Sequence, residues 1–141
     1  MLITLLVTIV AVMFSVLVHY EAFLRLSVLM KHMHIFPRFR IVFGAIGALV
    51  AHVVEIWIFA IAYWVLLRSG GHGELVGEIN GELTDYAYYS FATYTSLGFG
   101  DIIPLGALRF LTGMEALTGL VLIAWTASFM YVQMMKLWKE V

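Results

Sequence analysis

The 141-residue chain contains no cysteine, only two prolines and few charges, and each shortage excludes something. Without cysteine there is no disulfide framework, no thiolate metal site and no cysteine nucleophile. Two prolines and the lack of any low-complexity run leave no compositional mark of a disordered tail. Asp, Glu, Lys and Arg together make up 12% of the residues, where about 25% is usual in a soluble domain. A net charge of −1 and a pI near 6.5 offer no basic patch to nucleic acid, so nucleic acid is not an expected partner. The length falls below the roughly 150 residues of an average domain, which predicts one compact unit without an appended catalytic domain.

What is abundant is apolar. Hydrophobic residues make up 63% of the chain and mean hydropathy is +0.99, against about 45–50% apolar residues in ordinary soluble domains. A soluble sphere of this size cannot hide so much apolar surface, so the chain reads as an integral membrane protein in contact with lipid. Three stretches approach or exceed the roughly 20 residues that a spanning helix needs: Leu2 to Val18, Ile41 to Leu67 and Leu108 to Leu137. The first lacks the basic start and small-residue cleavage site of a secretory signal and reads as a retained helix. It continues past His19, Glu21 and Arg25, which together with His32 and His34 read as interfacial residues. Trp138 suits an interfacial anchor after the third stretch. A fourth apolar stretch, Tyr86 to Leu97, is too short to span and reads as re-entrant. Such backbone is tolerated at membrane depth only where protein buries it or it lines water.

Basic residues set the orientation. Arg25, Lys31, Arg38 and Arg40 lie between the first two spans, and Lys136 and Lys139 lie at or after the end of the third; only Arg68 and Arg109 fall on the other side. The excess predicts a cytoplasmic first linker and C-terminus, and an external N-terminus, in the cell membrane. Residues 68–85 then form an external turret. The run SGGHGELVGEINGEL carries five glycines, which favours loop over helix. The turret's charged residues, Arg68, Glu74, Glu78, Glu82 and Asp85, sum to −3. Such acids keep an exposed loop soluble, and around a mouth they also raise local cation concentration.

The segment that carries chemistry is TYTSLGFGD, residues 93–101, preceded by YAYYSFA and followed by IIP. Gly98 and Gly100 alternate with the side-chain-bearing Leu97 and Phe99. Glycine reaches backbone angles closed to other residues, so successive carbonyls of such a strand can point to one side. A ring of those carbonyls can replace the water shell of a monovalent cation. No carboxylate cage for a divalent ion is present, since Asp101 sits just past the strand.

In this hydropathy context the segment resembles the selectivity filter of the potassium-channel pore-domain family, over about Ile41 to Lys136. The resemblance implies an outer helix (41–67), a pore helix (84–95), a filter (Ser96, Leu97, Gly98, Phe99 and Gly100) and an inner helix (107–137). It implies K+ held by the carbonyls of Ser96, Leu97, Gly98 and Phe99, with the Ser96 hydroxyl completing the innermost site. Asp101 would be tied to Tyr88, Thr93 and Thr95 would brace the strand, and Glu115 would lie behind it near those threonines. An alternative for Glu115 is a pair with Arg109. Three positions depart from the usual family pattern: serine for threonine at 96, leucine for valine at 97, and phenylalanine for tyrosine at 99. The inner helix carries Gly119 where the family places a hinge, though a glycine there also suits close helix packing. Stepping by a turn from Gly119 gives Ile123, Ala127 and Tyr131 on one face, either lining the pore or packing between subunits.

His52 and Glu55 stand mid-span, three residues apart on one face. A mutual hydrogen bond or a tie to the first helix accounts for them; proton sensing is the other reading. One His-x-x-Glu is far short of a di-iron site.

One chain supplies one filter strand and a carbonyl ring needs four. The expectation is therefore an all-α membrane protein: three transmembrane helices plus a re-entrant pore helix and filter loop, assembled as a four-fold homotetramer. Residues 1–40 form the N-terminal helix and linker, and 41–141 the pore domain with its turret at 68–83. The first helix is too poor in arginine to be a voltage sensor, and no separate regulatory domain is expected after the inner helix. The expected function is passive, K+-selective conduction, with bound K+ as cargo, no cofactor and no covalent chemistry. A weakly selective cation channel and a non-conducting channel-like subunit are the alternatives.

Overall fold

The computed structural model describes residues 1–33 and 36–138. In chain order these form α1 (Leu2–His32), α2 (Pro37–Ser69), β1 (Leu75–Gly77), α3 (Leu83–Tyr94), β2 (Ile102–Pro104) and α4 (Leu108–Trp138). His34 and Lys139, which entered the sequence reading, lie outside the described residues. α1, α2 and α4 are each long and apolar enough to cross a membrane. At 1.5 Å per residue the 31 residues of α1 extend about 46 Å, well beyond a hydrocarbon core of about 30 Å.

The helices are longer than the apolar stretches that announce them. α1 continues to His32, and α2 starts at Pro37 rather than at 41. Proline is well placed there, because the first helical position needs no donor. α3 is closed at its start by reciprocal capping: the Glu82 side chain accepts from the Asp85 backbone. The Asp85 carboxylate accepts in turn from the Glu82 and Asn80 amides, at 3.3 and 2.7 Å.

α1 buries Thr4, Thr8, Ala11, Ser15, His19, Phe23 and Met30, one stripe at three- and four-residue spacing. The stripe packs against α2 and α4, and small hydroxyl side chains allow such close approach. His19 is therefore not interfacial, as the sequence suggested. It is fully buried at the centre of that contact. The main core gathers Phe59, Ala60, Tyr63 and Leu66 of α2, Tyr86, Tyr89 and Tyr94 of α3, and Leu108 and Leu111 of α4.

The turret is not simply loop. β1 pairs antiparallel with β2, Leu75 opposite Pro104, Val76 opposite Ile103 and Gly77 opposite Ile102. Two glycines read as loop-formers are there for closeness. A Cβ on Gly73 would lie 2.0 Å from the Leu105 carbonyl oxygen, and one on Gly77 would lie 2.0 Å from that of Asp101. The turret is also fastened to α1, whose Thr4 hydroxyl lies 3.2 Å from Nδ1 of His72.

Candidate functional site

α3 ends at Tyr94 and delivers the segment 95–101 between it and β2. Its last turn closes on itself: the Thr95 amide and hydroxyl both donate to the Phe91 carbonyl, at 3.2 and 2.8 Å. The Ser96 amide donates to Thr93 at 2.9 Å and the Gly98 amide to Ala92 at 3.0 Å. Beyond that turn the backbone alternates in handedness, with φ of +57° at Ser96, +54° at Gly98 and +81° at Gly100. A regular strand sends its carbonyls alternately to opposite sides; alternating handedness lets them face the same way. Ser96 is the only non-glycine residue with positive φ among the described residues. Residues 95–101 are all exposed in the single chain, with Leu97 at 61% and Phe99 at 63%.

The outer end of this segment is fastened to α3. The Tyr88 hydroxyl donates to Oδ2 of Asp101 at 2.7 Å, and the Tyr88 and Phe99 rings stack at 6.2 Å with planes 2° apart. Donation to the Asp101 carboxylate holds the Tyr88 phenol above its ordinary range.

Behind α3, Glu115 is fully buried and accepts from the Tyr63 hydroxyl at 2.6 Å and from Ser90. Ser90 also reaches the Ile56 carbonyl at 2.8 Å. Among the described hydrogen bonds Glu115 meets neither Thr93 nor Thr95, and it forms no ion pair with Arg109. The reason lies one turn further along α4. Gly119 meets the C-terminal end of α3 so closely that a Cβ would sit 2.0 Å from the Tyr94 carbonyl oxygen. Glu115 is thereby brought opposite Ser90, a turn earlier in α3. Gly119 is accordingly a packing contact in this structure, while Ile123, Ala127 and Tyr131 are exposed in the single chain.

A second buried polar cluster joins all four helices. Glu55 places Oε1 at 2.9 Å from Nδ1 of His19 and Oε2 at 3.0 Å from Nδ1 of His52, and it also accepts from the Tyr94 hydroxyl. His52 Nδ1 lies 2.9 Å from the Tyr94 hydroxyl, and its Nε2 lies 2.8 Å from the Thr126 hydroxyl. The mutual bond and the tie to α1 are thus both present. The sequence reading missed His19, Tyr94 and Thr126. A usable signal was there for His19, which continues the small-residue register of Thr4, Thr8, Ala11 and Ser15.

The two imidazoles approach opposite oxygens of the one carboxylate, and His19, His52 and Glu55 each offer one ligand atom within 4.8 Å of the others, near enough to suggest a metal site.

Three long apolar helices, two of them packed on a short helix that hands over a glycine-punctuated segment, are the build of a channel-forming membrane protein. A family model described as "ion channel" matches residues 41–136. The chain belongs to that family, the two-helix ion channels, and not to a family of enzymes. The matched region begins within α2, so α1 lies outside it. No curated protein matches the chain.

Proposed function

We propose that this chain is the subunit of a homotetrameric, K+-selective channel that conducts passively across the cell membrane. The observation that carries the reading is the alternation of backbone handedness at Ser96, Gly98 and Gly100 on an exposed segment. Four copies facing one axis give stacked rings of carbonyls from Ser96, Leu97, Gly98 and Phe99, each able to stand in for the hydration shell of K+. Repulsion between ions in neighbouring rings keeps them moving. Gly100 ends the strand at the outer mouth and the Tyr88–Asp101 bond fixes that end. Glu115, through Ser90, holds α3 behind the strand, with Thr93 and Thr95 in the turn that leads into it. Ile123, Ala127 and Tyr131 line the path below, and Gly119 is where α4 pivots against α3.

The external position of the N-terminus is supported by the Thr4–His72 contact, which puts the start of α1 beside the turret. It is supported again by the basic residues Arg25, Lys31, Arg38, Arg40 and Lys136 at the opposite end.

The test is K+ against Na+ flux in proteoliposomes, with Gly98→Ala as control. Within a single copy a Cβ at Gly98 meets nothing within 4 Å, so inside the subunit the change acts through the backbone, at a cost of roughly 1–2 kcal/mol for a left-handed alanine. Flux that favours K+ and disappears in the variant supports the proposal. Equal K+ and Na+ flux sinks selectivity, and no flux from folded protein sinks conduction.

A further inference from the structure

The polar cluster inside the helix contact is also a set of metal donors. His19, His52 and Glu55 each offer one ligand atom, and these atoms all lie within 4.8 Å of one another. Nδ1 of His19 lies 2.9 Å from one carboxylate oxygen, and Nδ1 of His52 lies 3.0 Å from the other. The Tyr94 hydroxyl adds a further oxygen, 2.9 Å from Nδ1 of His52. Two imidazoles and a carboxylate are a donor set for a divalent, zinc-like ion, with a fourth position left for an oxygen. Donors about 2.0–2.1 Å from a tetrahedral ion stand about 3.3 Å apart, so side-chain shifts on the order of 1 Å seat one here.

The surroundings suit such an ion. Glu55 is fully buried near the middle of a membrane-spanning helix, and among the described ion pairs it meets only the two histidines. With both rings neutral its charge stands uncompensated, and buried charges are paired or coordinate metals. His19 is fully buried too, yet its Nε2 has no partner among the described residues. One contact to Glu55 is then its sole polar offset for desolvation, and ligation through Nδ1 supplies a stronger one. At His52 the outer nitrogen is held: Nε2 lies 2.8 Å from the Thr126 hydroxyl, which donates to the Leu122 carbonyl at 3.1 Å. In that arrangement Nε2 carries the hydrogen and Nδ1 turns a lone pair toward the cluster, the outer support usual for a metal-bound imidazole. The rings of Phe23 and Trp125, 4.3 and 5.2 Å from that of His19, shield it from water. His52, at 13% side-chain exposure, is the edge at which an ion enters.

We propose that His19, His52 and Glu55, with the Tyr94 hydroxyl as fourth donor, form a binding site for one zinc-like divalent ion per chain. The ion staples α1 to α2 and to the last residue of α3. α1 lies outside the family match, and the ion fixes this additional helix to the matched region. The site needs no movement of the segment 95–101 and is independent of conduction. Without the ion the same groups hold one another by hydrogen bonds, with the Thr126 hydroxyl turned toward Nε2 of His52, and α1 is held more weakly.

The test uses the full chain in detergent, free of any affinity tag, with Co2+ and Zn2+ as probes. One equivalent of Co2+ per chain is expected to bind with the intense visible absorption of a four-coordinate ion, and Zn2+ to displace it. Thermal melting is expected to rise by several degrees with Zn2+ and to fall back with a chelator. His19→Gln and Glu55→Gln are each expected to weaken Co2+ binding by roughly tenfold or more. His32→Gln, at a histidine bonded instead to the Val28 carbonyl, is expected to leave it unchanged. Should the cluster variants not fold, X-ray absorption of the zinc-loaded wild type decides, with two imidazoles expected on the ion. No binding at micromolar Co2+ would overturn the proposal and leave the cluster as hydrogen bonds only. Binding that survives His19→Gln, or a zinc spectrum with fewer than two imidazoles, would overturn it as well. None of these readouts involves flux, so their failure leaves the channel reading standing.

Discussion

Ser96 holds a left-handed φ of +57°, a conformation that costs an L-residue roughly 1–2 kcal/mol. Serine suits it better than threonine, whose second branch at Cβ crowds the left-handed region, so the departure from the usual family residue has a local physical reason. Two predictions belong to this scale. The Tyr88 phenol lies above its ordinary range because it donates to Asp101. Its hold on Asp101 is therefore fully present below about pH 10 and is lost only as pH rises through the higher folded value. In ultraviolet titration Tyr88→Phe is expected to remove a phenolate that forms above the ordinary range, and K+ preference is expected to fall in that variant at neutral pH. At Gly119 the prediction is steric. With the Tyr94 carbonyl oxygen 2.0 Å from where a Cβ would stand, Gly119→Ala must push α4 off α3. That should lower stability by about 1–3 kcal/mol, read as thermal melting in detergent. Unchanged melting would mean that the two helices do not meet there.

Among the elements, the β1–β2 ladder ties the turret to the exit of the candidate filter. Gly77 has φ +147° and no room for a side chain against Asp101. Gly77→Ala is therefore expected to displace Asp101 and reduce K+ preference, although it lies outside the segment 95–101. Val76→Ala, on the exposed side of the same strand, is expected to leave flux ratios unchanged, and equal effects of the two would dissociate ladder from filter. The long helices were legible because apolar runs of such length have few other uses in a chain so poor in charge. The glycine alternation at 98 and 100 was legible because backbone permissiveness is written in residue type. The ladder was not, since three-residue strands leave no period, and glycines needed for close approach look like glycines needed for flexibility. His19 was misplaced for a related reason. A histidine beside Glu21 and Arg25 reads as the start of an interface, whereas its burial depends on Glu55, 36 positions away. Glu115 was assigned to Thr93 or Thr95 because one-dimensional spacing does not reveal where α4 crosses α3, which Gly119 decides.

At the scale of the whole molecule, the exposed faces describe what a single copy lacks. The segment 95–101 and the α4 face bearing Ile123 and Tyr131 stand uncovered, and in the proposed ring they meet the axis and neighbouring copies. The turret's acids then surround one mouth. Replacing Glu74, Glu78 and Glu82 by glutamine is expected to lower K+ conductance at about 0.01 M salt and to leave it nearly unchanged near 1 M, where the screening length shrinks from about 30 Å to about 3 Å. Loss of the same size at both concentrations would mean the turret acts on the structure and not through its field. The uncovered segment has one more consequence, for heredity. Because each ring would draw a carbonyl from every copy, an altered Gly98 in one copy spoils a site that the others have built correctly. In the proposed ring, a cell carrying one normal and one altered gene would assemble mostly mixed rings, so damage to this short stretch would be dominant. Truncation within α1, which leaves no copy of the segment to co-assemble, would be recessive.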